Sequence, residues 1–178
     1  MSRGLGDVYK RQTKVRFEER QYFRQWWMWL LIGLMVVLGW AGLIVQIVLG
    51  QPFGTNPGPD WLVWLMWLLV GIGLPLLFLW LHLRLAVTDQ EIEIDYRPFS
   101  QRRIPLSTVL GATAREYDAL REYGGWGIKG WSRVKRAYNV SGNAGVELFL
   151  IDGRSVMLGS KRADELEQAI MEAKDALP

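Results

Sequence analysis

The chain has no cysteine and a single histidine, His82, in 178 residues. Without cysteine there is no disulfide framework and no thiolate metal site, and the composition fits a reducing compartment. One histidine cannot build a zinc site, and no D-x-D-x-D-G run is present for calcium. A nucleophilic Ser or Thr needs an activating base beside it. His82 follows a long apolar run, so a Ser–His pair is not expected.

Charge is also missing, in two long windows. No Asp, Glu, Lys or Arg occurs between Gln25 and Pro59, or between Trp61 and Leu83. Eight of the ten tryptophans lie between Trp26 and Trp80. Residues 84–178 carry fourteen basic and fourteen acidic side chains, so that half has no net charge. The overall +3 comes from the N-terminal end, and no nucleic-acid surface is indicated.

The uncharged windows predict two membrane helices, at 26–49 and 61–83. At ~1.5 Å rise per residue, each is long enough for a ~30 Å hydrocarbon core. A signal peptide is excluded by length, and no small-residue cleavage site follows the first run. Residues 50–60, "GQPFGTNPGPD", form a turn-rich loop, so the helices make an antiparallel hairpin. Lys14, Arg16, Arg20 and Arg24 precede it; Arg84, Arg97, Arg102 and Arg103 follow it; the loop has no Lys or Arg. This bias predicts both termini on the cytoplasmic side of a bacterial inner membrane. Trp26, Trp27, Trp61 and Trp80 fall at the expected interfaces. Pro75, with Gly71 and Gly73, predicts a kink relieved by local packing. The span interiors have no ionisable group to build a transport site. The N-terminal segment 1–25 opens with "MSRGLGDVYKRQ", which resembles translated sequencing-adapter read-through; residues 1–12 are set aside as a scar.

From Arg84 onward the pattern changes to period two. "EIEIDY" alternates Ile92, Ile94 and Tyr96 with acids, as a half-buried strand does. "QRRIPL", "VLGATAREY", "VKRAYNV", "GVELFLI" and "SVMLG" are further strands, and Asp152-Gly153 marks a hairpin. Ala163, Leu166, Ile170, Ala173 and Leu177 make one apolar stripe of a final helix. Asp164 and Glu165 suit its first turn, with Ser160 as N-cap. The reading for 84–178 is six or seven short antiparallel strands closed by an amphipathic helix.

That order is pleckstrin-homology-like. "RPFSQRRIPLSTV", "REYGGWGIKG" and "RAYNVSGNAGVELFLIDGRSVMLGSKRADELEQAI" resemble the bacterial pleckstrin-homology-like domains of uncharacterised small membrane proteins with two N-terminal transmembrane helices. The resemblance runs over residues 15–178. Family members often have Pro where Ala163 stands, a departure of little cost. It implies a membrane α-helical hairpin plus a soluble mainly-β domain, a pleckstrin-homology-like antiparallel sheet or barrel of about seven strands capped by a C-terminal helix. It implies no catalytic residue.

One string argues for something else. Gly125-Trp126-Gly127-Ile128-Lys129-Gly130 spells G-x-G-x-x-G, the fingerprint of a phosphate-cradling turn. A dinucleotide site requires that turn to follow a strand and open a helix. Here "WSRVKRAYNV" follows, with strand alternation, so the glycines read as an inter-strand connection. No cofactor, metal or catalytic set is expected, and the chain reads as a non-catalytic interaction or scaffold module. Lys129, Arg133, Lys135 and Arg136 are candidate contacts for anionic lipid, or a solvated face paired with Glu116, Asp118 and Glu122. Tyr123, Trp126 and Trp131 are candidate anchors for a protein partner or self-association, and equally candidate core residues.

Overall fold

The computed structural model describes residues 14–130 and 135–177. The adapter-like residues 1–12, and with them part of the N-terminal segment, lie outside that range. The chain divides into two compact units, Tyr22–Leu81 and a second made of Met1–Gln21 with His82–Pro178.

The first unit is a helical hairpin of α1 (Trp26–Val48) and α2 (Asp60–Trp80), both long and apolar enough to cross a membrane. Only 17% and 6% of their most apolar windows is buried within the protein. Pro75 lacks a backbone N–H, and its ring crowds the carbonyl four residues back. The chain answers with a π-helical stretch, Trp67–Gly73, directly before the final segment Leu74–Trp80. Here the helices meet on small residues: a Cβ added to Gly39 would lie 3.7 Å from the Gly71 nitrogen. Trp40 and Trp67 close over this contact edge-to-face, with ring centroids 5.3 Å apart. At the loop end, Gln46 Nε2 donates to Gly58 O (2.7 Å) and Asp60 Oδ1 (2.9 Å).

The period-two alternation starts earlier than Arg84. Leu81 is already extended, and His82 and Leu83, expected as the end of the second span, open a strand. The alternation Leu81, Leu83, Leu85, Val87 is the local cause, and all four side chains are buried.

The second unit holds two sheets. The first is β1 (Val15–Tyr22), β2 (His82–Thr88), β3 (Glu91–Arg97) and β4 (Ser100–Pro105), side by side in that order. The hairpin is therefore inserted in the chain between two neighbouring strands. β1 was not legible because its inward positions alternate Phe17, Glu19 and Gln21 rather than apolar residues alone. Its two polar side chains find partners far along the chain. Glu19 accepts from the Ser160 hydroxyl (2.5 Å) and from Lys161 N (3.1 Å), and Gln21 Nε2 donates to Gly159 O (2.7 Å).

The second sheet has β5 (Val109–Glu116), β6 (Gly127–Lys129), β7 (Lys135–Asn139), β8 (Ala144–Leu150) and β9 (Ser155–Gly159), in the order β5-β8-β9-β7-β6. A short helix α3 (Ala119–Tyr123) links β5 to β6. Two expectations change here. From His82 onward the described residues form eight strands, β2 to β9, where six or seven were expected, and they are not all antiparallel. The Asp152-Gly153 hairpin folds β9 back beside β8, but β9 also lies between β8 and β7 and pairs parallel with β7, from Lys135↔Ser155 to Tyr138↔Leu158. Both sheets are open, with no closed barrel among the described residues.

The terminal helix α4 (Ala163–Asp175) packs on β5, β8 and β2, so it covers part of both sheets. Leu166, Ala169, Ile170 and Ala173 are its buried stripe. Leu177 lies past the last helical turn and is half-buried. Arg162 occupies the N-cap, not Ser160. The Ser160 hydroxyl instead accepts from Arg162 N (3.0 Å) while donating to Glu19. The carboxylate that complements this helix start thus comes partly from β1, beyond the reach of a local capping rule.

Candidate functional site

Chemistry-bearing side chains of the β unit gather in two ion-pair networks and one cleft. In the first network, Arg84 on β2 reaches Glu18 (2.8 Å), Glu93 (3.0 Å) and Asp95 (3.2 Å) from β1 and β3. The period of two puts all four on one face. The Arg84 guanidinium holds the Glu18 carboxyl below its usual range, and the carboxylates hold Arg84 protonated. In the second, Arg115 on β5 contacts Glu122 of α3 (2.8 Å) and Glu147 of β8 (2.7 Å). Arg115, then the Asp118 backbone N–H, lowers the Glu122 pKa. Such charges are matched and partly desolvated, so they fix strand register more than they await a substrate.

The cleft opens beside the second network. Its volume is about 430 Å³, lined by Glu116, Tyr117, Asp118, Leu120, Trp126 and Asn143 among others. Asp118 starts α3 by accepting from Leu120 N and Arg121 N, both at 3.0 Å, while Glu122 accepts from Asp118 N at 2.9 Å. Gly124, with φ 75°, ends α3 as a left-handed cap, which any side chain would strain. Then Gly127 N donates to Asn139 Oδ1 (2.8 Å) and enters β6. The turn ends at Gly130, where φ is 155° and an added Cβ would meet the Lys135 carbonyl at 2.6 Å.

The glycine string therefore follows a helix and enters a strand, the reverse of a dinucleotide-binding turn. Its charge is also wrong for phosphate. Three carboxylates, Glu116, Asp118 and Glu122, line the adjoining cleft, and a phosphate there would meet like charge. A cationic group would meet opposite charge and the Trp126 indole.

The residues singled out in sequence separate into core and surface. Tyr123 is buried and packs edge-to-face on Tyr117, ring centroids 5.8 Å apart. Trp126 is half-buried against the same cluster, which includes Ala137 and Met157. Burial raises the pKa of the Tyr117 and Tyr123 hydroxyls, so both stay protonated. Tyr123 is thus placed as a core residue, and Trp126 as a cleft wall. Lys129 sits half-buried on the edge strand β6, while Lys135 and Arg136 are exposed on β7. Trp131 and Arg133 lie outside the described residues. Sequence reasoning did not single out Leu120 or Asn143, which reach the cleft from "DALREY" and "SGNAG"; neither string carries a local signal for it. Among the described residues, no group of three or more His, Asp or Glu is placed to hold a metal ion.

A family model described as a family of unknown function, DUF6141, matches residues 9–177. No curated protein and no solved structure matches the chain. The match takes in both apolar helices and all nine strands, so the chain, from the hairpin to the terminal helix, belongs to the DUF6141 family.

Proposed function

We propose that this chain is an integral protein of the bacterial inner membrane that displays a pleckstrin-homology-like domain at the cytoplasmic face, as a non-catalytic docking or scaffold module. The observation that carries the membrane part is the hairpin. Its large apolar side chains, among them Leu30, Leu34, Val37, Leu68 and Leu76, face outward with more than half of their surface exposed. In water such a surface would drive association; in lipid it is solvated. The positive residues flank the hairpin and are missing from its loop, which supports cytoplasmic termini. Two sheets under one terminal helix support the pleckstrin-homology-like reading, and the parallel β7–β9 pair is its departure from an all-antiparallel pattern.

A docking role rests on the cleft. Two of its three acids, Asp118 and Glu122, are committed to capping α3 and to Arg115, which supports binding over catalysis. Its carboxylate rim and half-buried indole suit a basic segment of a protein partner. A second reading, anionic-lipid contact through residues 129–136, is favoured by one observation: Lys135 and Arg136 are exposed and make no ion pair with the described residues.

Two measurements test this. Cysteine scanning is clean because the chain has none. A membrane-impermeant maleimide should label Thr55→Cys in intact cells and Gln101→Cys only after permeabilisation; the opposite pattern would invert the topology. A photo-crosslinking amino acid at Leu120, on the cleft rim and 60% exposed, should trap one discrete partner in membranes. Absence of any adduct there, with normal membrane insertion, removes the docking role.

A further inference from the structure

The register of the first sheet places a basic and aromatic turn close to the end of the membrane helix. α2 ends at Trp80, and two residues later His82 begins β2. β2 pairs antiparallel with β3 from its first residue, His82↔Arg97. Two Cα steps and one antiparallel pair put the Arg97 Cα within about 13 Å of the Trp80 Cα, by chain connectivity alone. The turn between β3 and β4 follows at once: Arg97, Pro98 and Phe99, closed by Phe99 N donating to Tyr96 O at 2.9 Å.

The side chains of that turn have no role in the core. Phe99 is 64% exposed, although every apolar residue at an inward position of β3 is buried. Arg97 is exposed and makes no ion pair among the described residues. The acids of the same strand pair elsewhere. Asp95 and Glu93 bind Arg84, and Glu91 binds Arg103. They stand successively farther from His82 along the register. Strand β3 is therefore basic at its end nearest the helix and acidic beyond it, and those acids are paired with arginines of the neighbouring strands. An apolar ring beside a guanidinium with no ion pair among the described residues, joined by so short a path to the end of an apolar helix, has the composition of a bilayer-contacting loop.

We propose that the β3–β4 turn, Arg97 to Phe99, docks on the anionic headgroup surface, with Phe99 entering the headgroup–acyl boundary and Arg97 contacting lipid phosphate. This rests on the reading of α1 and α2 as membrane spans. It assigns lipid contact to a surface separate from Lys129, Lys135 and Arg136, on the other sheet.

The test uses full-length protein carrying one cysteine, labelled with nitrobenzoxadiazole and reconstituted in nanodiscs. Phe99→Cys reports the turn. Gln90→Cys reports the far end of the same strands, and Val37→Cys the middle of α1. The discs hold phosphatidylcholine, with or without phosphatidylglycerol, and lipid spin labels as quenchers. The expected result is blue-shifted emission at position 99, with quenching by shallow spin labels that strengthens with phosphatidylglycerol, and solvent-like emission at position 90. Adding Arg97→Glu should weaken the phosphatidylglycerol-dependent part about fivefold or more. If position 37 is quenched by deep labels and position 99 is not, or if 99 and 90 behave alike, the turn does not dock and the spans stand. If position 99 is shielded without lipid quenching, a protein contact covers it and the proposal fails. If position 37 is not quenched either, the spanning reading itself fails.

Discussion

The hairpin and the β unit use the same apolar residues in opposite ways. In α1 and α2 most of the leucines point outward, and small residues, Gly39 and Gly71, form the contact between helices. In the β unit, Leu83, Leu85, Ile92, Ile94, Leu158 and Ile170 are fully buried, and the charges are outside in matched networks. The difference teaches what drives each unit together. Water expels apolar surface and fills the β core. In the proposed membrane setting lipid offers no such drive, and the hairpin is joined instead by close backbone approach and interlocked rings.

That contrast yields a graded set of tests. The largest effect belongs to the β core. Ile170→Ala, at a site with no exposure, should lower the stability of the β unit by about 2–5 kcal/mol in a denaturant titration of the detergent-solubilised chain. Leu34→Ala on the outer face of α1, 53% exposed, should change the same transition by less than about 0.5 kcal/mol. Similar values for the two would mean that the hairpin surface is buried in water after all.

Glycines should respond in opposite directions. A Cβ at Gly145 would stand 2.5 Å from the Leu158 carbonyl, so Gly145→Ala should cost about 1–3 kcal/mol by forcing β8 from β9. At Gly33 in α1 nothing lies within 4 Å, and Gly33→Ala should raise thermal stability slightly, by up to about 1 kcal/mol. A loss at Gly33 would reveal a contact that covers this face of α1.

The clasp of β1 on the start of α4 should be intermediate. Glu19→Ala leaves the Ser160 hydroxyl and Lys161 N–H without their acceptor, at a cost of about 1–3 kcal/mol. Glu19→Gln should recover part of it. Hydrogen exchange at the first turn of α4 is the sharper readout, because loss of a local cap frees those amides first.

The smallest effect is on acid sensitivity. Arg84 depresses the Glu18 pKa and Arg115 depresses that of Glu122, so both carboxylates contribute stability that is complete above their ordinary value of 4.5. That contribution is lost as pH falls from about 4.5 into the depressed range. Both groups are partly exposed, so salt should weaken it. Arg84→Met should flatten the acid limb of a stability–pH curve, and an unchanged limb would mean the network is fully screened.

Much of the architecture is readable locally. The strand "EIEIDY" and the hairpin Asp152-Gly153 carry their own period and turn chemistry, and both stand as expected. The stripe of α4 also stands, apart from its last residue, since the helix ends at Asp175 and leaves Leu177 outside it. β1 was unreadable because its inward Glu19 and Gln21 find partners at positions 159–161. The candidate site was harder still. The seven side chains marked as contacts include Tyr123, whose aromatic character suits an anchor or a core equally, and burial put it in the core.

By itself the sequence determined where the apolar helices lie, where charge resumes, and which segments alternate with period two. Those properties depend on residues within a few positions of each other. Only the tertiary structure decided that the hairpin interrupts one sheet between β1 and β2, that β9 runs parallel to β7, and that α4 starts under a carboxylate from the other end of the chain. Each of these is a pairing of groups far apart in the chain, chosen by which arrangement buries the apolar rows and pairs most of the polar groups beside them.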